Sequence, residues 1–165
     1  MHIAGAYVAA GRPDLAAPAL QRGLALAEKG YGPGDLRSCG VMVAMGSLCA
    51  SFGNDAQTLD AARAVLGEAL RRLEKSTDGD DQLLRARALN AYAVAHHKSG
   101  KLDEAVVLYA RAAELLEALV GPEHADLEGV LSNHAEAERA RGNADSAQLL
   151  EARARRMRRG AFSVV

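Results

Sequence analysis

The sequence predicts an all-α fold built of repeated helix hairpins, and three observations lead there. Its 165 residues include 35 alanines and 22 leucines against 11 valines, one isoleucine and two threonines, so strong helix formers far outnumber β-branched residues. A period of 42 residues relates Ala88–Leu115 to Val130–Met157 without a gap. Each copy reads as a helical stretch, a glycine and a second helical stretch, and a Gly-Pro pair that follows the first copy recurs 89 residues earlier in the chain.

In this register Leu89 meets Leu131, Ala93 meets Ala135, Gly100 meets Gly142, Ala105 meets Ala147 and Ala112 meets Ala154. Extended toward the start of the chain, the template finds two further units. Three positions of each unit hold only Ala or Gly: Ala4, Ala16, Gly23; Gly46, Ala62, Ala69; Ala93, Ala105, Ala112; Ala135, Ala147, Ala154. Small residues at a fixed phase let the helices of one hairpin, and neighbouring hairpins, approach closely enough for their ridges to pack.

The elements follow in order. Helices are expected at residues 1–10, 13–29, 36–52, 58–75, 81–99, 102–119, 124–141 and 144–159. Gly11 turns the chain between the first two. Gly32-Pro33-Gly34-Asp35 closes the second and opens the third, because proline cannot continue a helix but suits its first turn. Gly53 separates the third from the fourth, with a turn lengthened by four residues between Asn54 and Thr58. Ser76-Thr77-Asp78-Gly79-Asp80 is the next turn-rich break. Gly100 divides the third unit, Gly121-Pro122-Glu123-His124 repeats the first Gly-Pro loop 89 residues on, and Gly142 divides the last unit. The repeats therefore run over about 1–34, 35–79, 80–121 and 122–159 of a single unit, with a tail at 160–165.

Leu89, Ala93, Gly100, Ala105, Tyr109 and Ala112 together resemble the tetratricopeptide repeat. The 42-residue period with its Gly-Pro loop is similar to the kinesin light chain variety of that family, and Pro18, two residues after Ala16, matches a proline of that variety. The resemblance covers residues 1–158. It departs from the pattern in three respects: no unit has Trp, Glu151 stands where Leu20, Leu66 and Tyr109 sit in the other units, and a Leu-Asn-Asn signature survives only in part. The resemblance implies a right-handed superhelical solenoid of about four repeats, the first incomplete, whose first helices line a concave groove.

Both ends carry expectations. Met1 falls in the middle of what should be the first helix, about four residues short of the family's start, which points to an excised or truncated fragment rather than a half-helix cap. Near the other end Glu151 and the arginines 153, 155, 156, 158 and 159 make the last helix strongly charged, the polar outer face expected where an array ends.

On the family template the groove-facing positions are Arg87, Asn90, Val94, His97 and Lys98 in the third unit. In the fourth they are Gly129, Ser132, Glu136, Arg139 and Ala140, with Asn133 adjacent. The first two units present Gly5, Val8, Val43, Ser47, Ala50 and Ser51, so the groove is expected to be polar at one end and apolar at the other. In relatives, asparagines on first helices hydrogen-bond the backbone of an extended peptide and basic residues take its carboxylates. The resemblance thus assigns peptide binding to Asn90, Asn133, His97, Lys98 and Arg139, with Arg87 and Ser132 beside them. Asn suits this role because it both donates and accepts.

Other chemistries find little support. The formal charge of −1, from 20 basic and 21 acidic side chains, lacks the positive field of a dedicated nucleic-acid binder. The arginine run is read as a solvated terminal helix. No apolar run approaches the roughly 18 residues of a spanning helix, so a membrane role is not expected and the setting reads as cytoplasmic. Cys39 and Cys49, ten residues apart on one helix, are separated by about 15 Å of rise and cannot bridge.

His96 and His97 point about 100° apart on a helix, which is wrong for shared ligation; His96 and His134 fall at packing phases, and His124 lies in a loop. No metal or cofactor is expected. There is no GxSxG motif, and Ser99-Gly100-Lys101 lacks the rest of a phosphate loop, so no catalytic role is expected.

The expected function is a non-catalytic module that binds a peptide or protein segment along the concave groove. Two alternatives remain. One is a sensor or regulatory array of a larger bacterial signalling ATPase or transcription regulator, a bacterial source being suggested by the Ala- and Arg-rich composition. The other is self-association as a homodimer through an apolar end at Ile3, Tyr7 and Val8.

Overall fold

A computed structural model describes residues 13–32 and 34–161 of the chain. Among them seven α-helices follow one another without a strand. They are α1 (Pro13–Tyr31), α2 (Cys39–Phe52, entered through a 3-10 turn at Leu36–Ser38), α3 (Ala56–Leu73), α4 (Gly79–Lys98), α5 (Leu102–Val120), α6 (Ala125–Ala140) and α7 (Ala144–Ala161). The helix expected at residues 1–10 lies outside the described residues. So do Gly5 of the expected groove and the apolar end at Ile3, Tyr7 and Val8.

Helix ends follow local chemistry. Asp55 caps α3, accepting from the Thr58 backbone N–H at 2.8 Å, and Asp78 caps α4, accepting from Asp80 N–H at 2.9 Å. Gly100 and Gly142, 42 residues apart, close α4 and α6 in the same way. Each has a left-handed φ (74° and 88°), and the amide beyond it returns to a carbonyl five residues back, Lys101 to His96 at 3.0 Å and Asn143 to Glu138 at 2.9 Å.

Gly53, their counterpart in the sequence register, behaves differently, with φ −66°. Its Cβ would stand 2.4 Å from the Cys49 carbonyl oxygen, so here the lack of a side chain answers crowding instead of handedness. The extra residues after it correct the expected long turn. From Ala56 onward they are helical and lengthen α3, because Asp55 starts the helix two residues before the expected 58.

Packing follows the alternation of small and large residues. Ala62, Ala69, Ala93, Ala105, Ala112, Ala135 and Ala154 have no exposed surface, and Leu66 and Tyr109 fill the space that they leave. At position 46 even a methyl is too large, since a Cβ there would lie 2.3 Å from Leu66 Cγ. Each helix packs on its successor, and α2 also lies directly on α4. By contrast α4 and α6 barely touch each other. The first helices of the third and fourth hairpins are therefore splayed, and polar side chains span the opening.

Two long cations tie hairpins together. Arg72 on α3 donates to Ser38 Oγ at 2.9 Å and to Glu68 at 2.6 Å, and comes within 3.9 Å of Glu28 on α1. Lys98, the last residue of α4, donates to the carbonyls of Ser51 (2.6 Å) and Gly53 (3.3 Å), which lie where α2 ends. The terminal arginines are also engaged with the fold, which corrects the reading of a merely solvated helix. Arg153 reaches Glu117 on α5 at 2.8 Å and Arg158 reaches Glu128 on α6 at 3.2 Å, from positions well apart around α7.

Candidate functional site

The splay between α4 and α6 opens a groove of about 640 Å³. On α4 its lining recurs at helical spacing, Arg87, Asn90, Ala91 and Val94, and on α6 at Asp126, Gly129, Ser132 and Asn133. Ser47 and Ser51 of α2 continue it toward the second hairpin, Leu116 and Val130 form part of its floor, and Arg158 comes in from α7.

Two side-chain bridges cross the opening. Arg87 Nε donates to Asp126 Oδ2 at 2.8 Å, and Asn133 Nδ2 donates to Asn90 Oδ1 at 3.3 Å. The asparagine bridge uses one amide hydrogen and one carbonyl. Donors on Asn90 and an acceptor on Asn133 are left over, the complement of one peptide unit. Ser132 Oγ donates to Glu128 Oε1 at 3.0 Å, next to the pair formed by Glu128 and Arg158.

Of the residues expected to bind a peptide, Asn90, Asn133, Arg87 and Ser132 come together here. Three do not. Lys98 serves the carbonyls at the end of α2, Arg139 pairs with Glu151 on α7, and His97 lies one turn beyond the residues that line the groove. Val43 and Ala50, expected on its apolar part, are buried (4% and 0% exposed), because α2 packs on α4 at that level and closes the surface. Asp126, Glu128 and Arg158 were missed. The first two share the α6 face with Gly129 and Ser132 and could have been found from helical phase; Arg158 depends on how α7 lies across α6, which no local pattern encodes.

His96, His124 and His134 do not line the groove. His96 sits edge-on to Tyr92 with ring centroids 4.6 Å apart, and both its nitrogens are buried without a hydrogen-bond partner. His134 stacks on Tyr109 at 6.0 Å, with Nε2 3.7 Å from Glu138. Burial pushes both imidazoles below the ordinary value. His124 caps α6, its Nδ1 accepting from the Asp126 amide at 3.2 Å. Among the described residues no group of three His, Cys, Asp or Glu is placed to hold a metal ion, and no helix is long and apolar enough to cross a membrane.

Residues 84–160 match the family model of the tetratricopeptide repeat. No curated protein matches the sequence. Among solved structures the chain is similar to BtubC (BKLC) from P. vanneervenii, with a TM-score of 0.76 and 20% identity over 99% of this chain. The chain spans 63% of that protein's length. It is also similar to a kinesin light chain-like protein of Podosopora anserina with nearly identical TPR-like repeats, with a TM-score of 0.67 and 20% identity, covering 96% of this chain and 72% of that one.

These likenesses, at 20% identity, concern the fold alone. Tetratricopeptide repeats generally mediate protein–protein interaction, and proteins built of them are typically non-catalytic scaffolds. The matched repeat, the alternation of small and large residues and the shared architecture agree: residues 84–160 match the tetratricopeptide repeat, and the fold of the described residues is all-α and of the tetratricopeptide type.

Proposed function

We propose that the chain is a non-catalytic interaction module whose groove between α4 and α6 takes an extended segment of a partner protein. The observation that carries this reading is the asparagine bridge across a half-open cleft. Asn90 and Asn133 present unused donors and an acceptor to a space deep enough for a peptide backbone, and a preordered solenoid keeps the entropy lost on binding small. The perturbed histidines stand outside this cleft, paired with aromatic rings, which supports a binding role over a catalytic one. Two free cysteines, Cys39 and Cys49, fit a reducing, cytoplasmic setting.

The test is an NMR titration of the full chain with peptides recovered from a random phage-displayed library. Shifts concentrated on α4 and α6 around Asn90 and Asn133 support the reading. Shifts confined to the outer faces of α5 and α7 overturn it.

A further inference from the structure

The charges that line the groove are already matched within the chain. Arg87 is held by Asp126 at 2.8 Å and Arg158 by Glu128 at 3.2 Å, so the four cancel in two pairs. A ligand carboxylate that takes the remaining N–H groups of either arginine comes to lie beside a carboxylate that stays in the same cleft, so the repulsion between the two offsets what it gains from an arginine that is already neutralised. A ligand cation meets the mirrored difficulty at Asp126 and Glu128. An uncharged segment disturbs neither pair and finds neutral partners in the asparagine amides and the hydroxyls of Ser47 and Ser51.

Gly129 supplies a second, independent observation. It stands inside α6, where glycine is a poor helix former. No close neighbour requires it there, since a Cβ built on it meets nothing within 4 Å, in contrast to Gly46 against Leu66. Its missing side chain leaves open space in a groove whose lining also includes the apolar Val94, Leu116 and Val130.

Resting on the groove reading above, we infer that the bound segment is uncharged where it lies between α4 and α6, and that it seats one bulky apolar side chain at Gly129. Specificity then comes from fit and neutral hydrogen bonds, and the basic residues of this groove do not select acidic ligands.

The experiment selects peptides from a random phage-displayed library on the full chain, then measures their affinities at about 50 and 500 mM NaCl. The same peptides are tested on Gly129→Leu and Gly129→Ala. Recovered peptides are expected to share an uncharged core with one large apolar residue and to change affinity by less than about threefold across that salt range. Gly129→Leu should weaken binding at least about tenfold. Gly129→Ala should fold with a raised melting temperature and bind more weakly by a smaller factor.

A charged consensus with steep salt dependence, or unchanged affinity in both variants, overturns this inference while leaving the groove reading in place. Recovery of no binding peptide overturns the groove reading itself.

Discussion

Gly46 on α2 and Leu66 on α3 cross so closely that a Cβ at position 46 would lie 2.3 Å from Leu66 Cγ and 2.7 Å from its Cδ2. The contact lies between helix bodies, where neither side can withdraw without opening the core around the fully buried Leu66. Gly46→Ala should therefore destabilise the chain by about 1–3 kcal/mol, the usual effect of overpacking. Gly23→Ala is the control. Its Cβ would meet Val41 Cγ1 at an ordinary 3.5 Å, so the change should be neutral or stabilising by up to about 1 kcal/mol. Urea unfolding of the two variants separates crowding from a general intolerance of alanine.

Lys98 is expected to matter for stability and not for ligand binding. It satisfies the carbonyls of Ser51 and Gly53 at the end of a helix from the preceding hairpin. Lys98→Ala should cost about 1 kcal/mol, a charge-assisted bond discounted for its exposure, and should leave peptide affinity within about twofold. A large loss of affinity with full stability would return Lys98 to the binding surface.

Acid should weaken the fold through two histidines. Burial is the main cause that lowers the folded-state values of His96 and His134; Arg63 and Lys101 add to it and Glu104 opposes it at His96, while Glu138 opposes it and Arg141 adds to it at His134. The unfolded chain takes up these protons near pH 6.5, before the folded chain does. The two groups therefore contribute fully above about pH 6.5, and their contribution is lost as pH falls below it toward the folded values. Thermal melts at pH 7.5 and 5.5 should show a lower midpoint in acid. The difference should shrink in the His96→Phe/His134→Phe double variant.

The arginines of α7 should act as ties between helices. Arg153→Ala and Arg158→Ala each remove a cross-helix ion pair that is partly exposed, so each should lower stability by about 0.2–1 kcal/mol. Hydrogen exchange should locate the loss in α7.

How much of this was legible in the sequence depends on the range of the interaction. Helix ends and small-residue positions are local or periodic, so Gly100 and Gly142 closed their helices as the register required, and seven of the repeat alanines proved fully buried. Gly53 broke the pattern because a side chain there would strike the Cys49 carbonyl, a crowding that no spacing rule contains. The resemblance to the repeat family placed Asn90, Asn133, Arg87 and Ser132 on one groove, where the structure brings them together. The resemblance did not show that Val43 and Ala50 would be covered by α4, nor that Lys98 and Arg139 would be engaged by the end of α2 and by Glu151. Those outcomes are set by how one hairpin leans on the next, and helical phase is silent about that.

The most direct measurement is calorimetric titration of a library-derived peptide into the wild-type chain and into the Asn90→Ala/Asn133→Ala double variant, with melting curves of both. If the two amides hold the ligand backbone, affinity falls about tenfold or more while the melting temperature stays within a few degrees. Equal affinity in the two proteins would contradict the assignment of this groove.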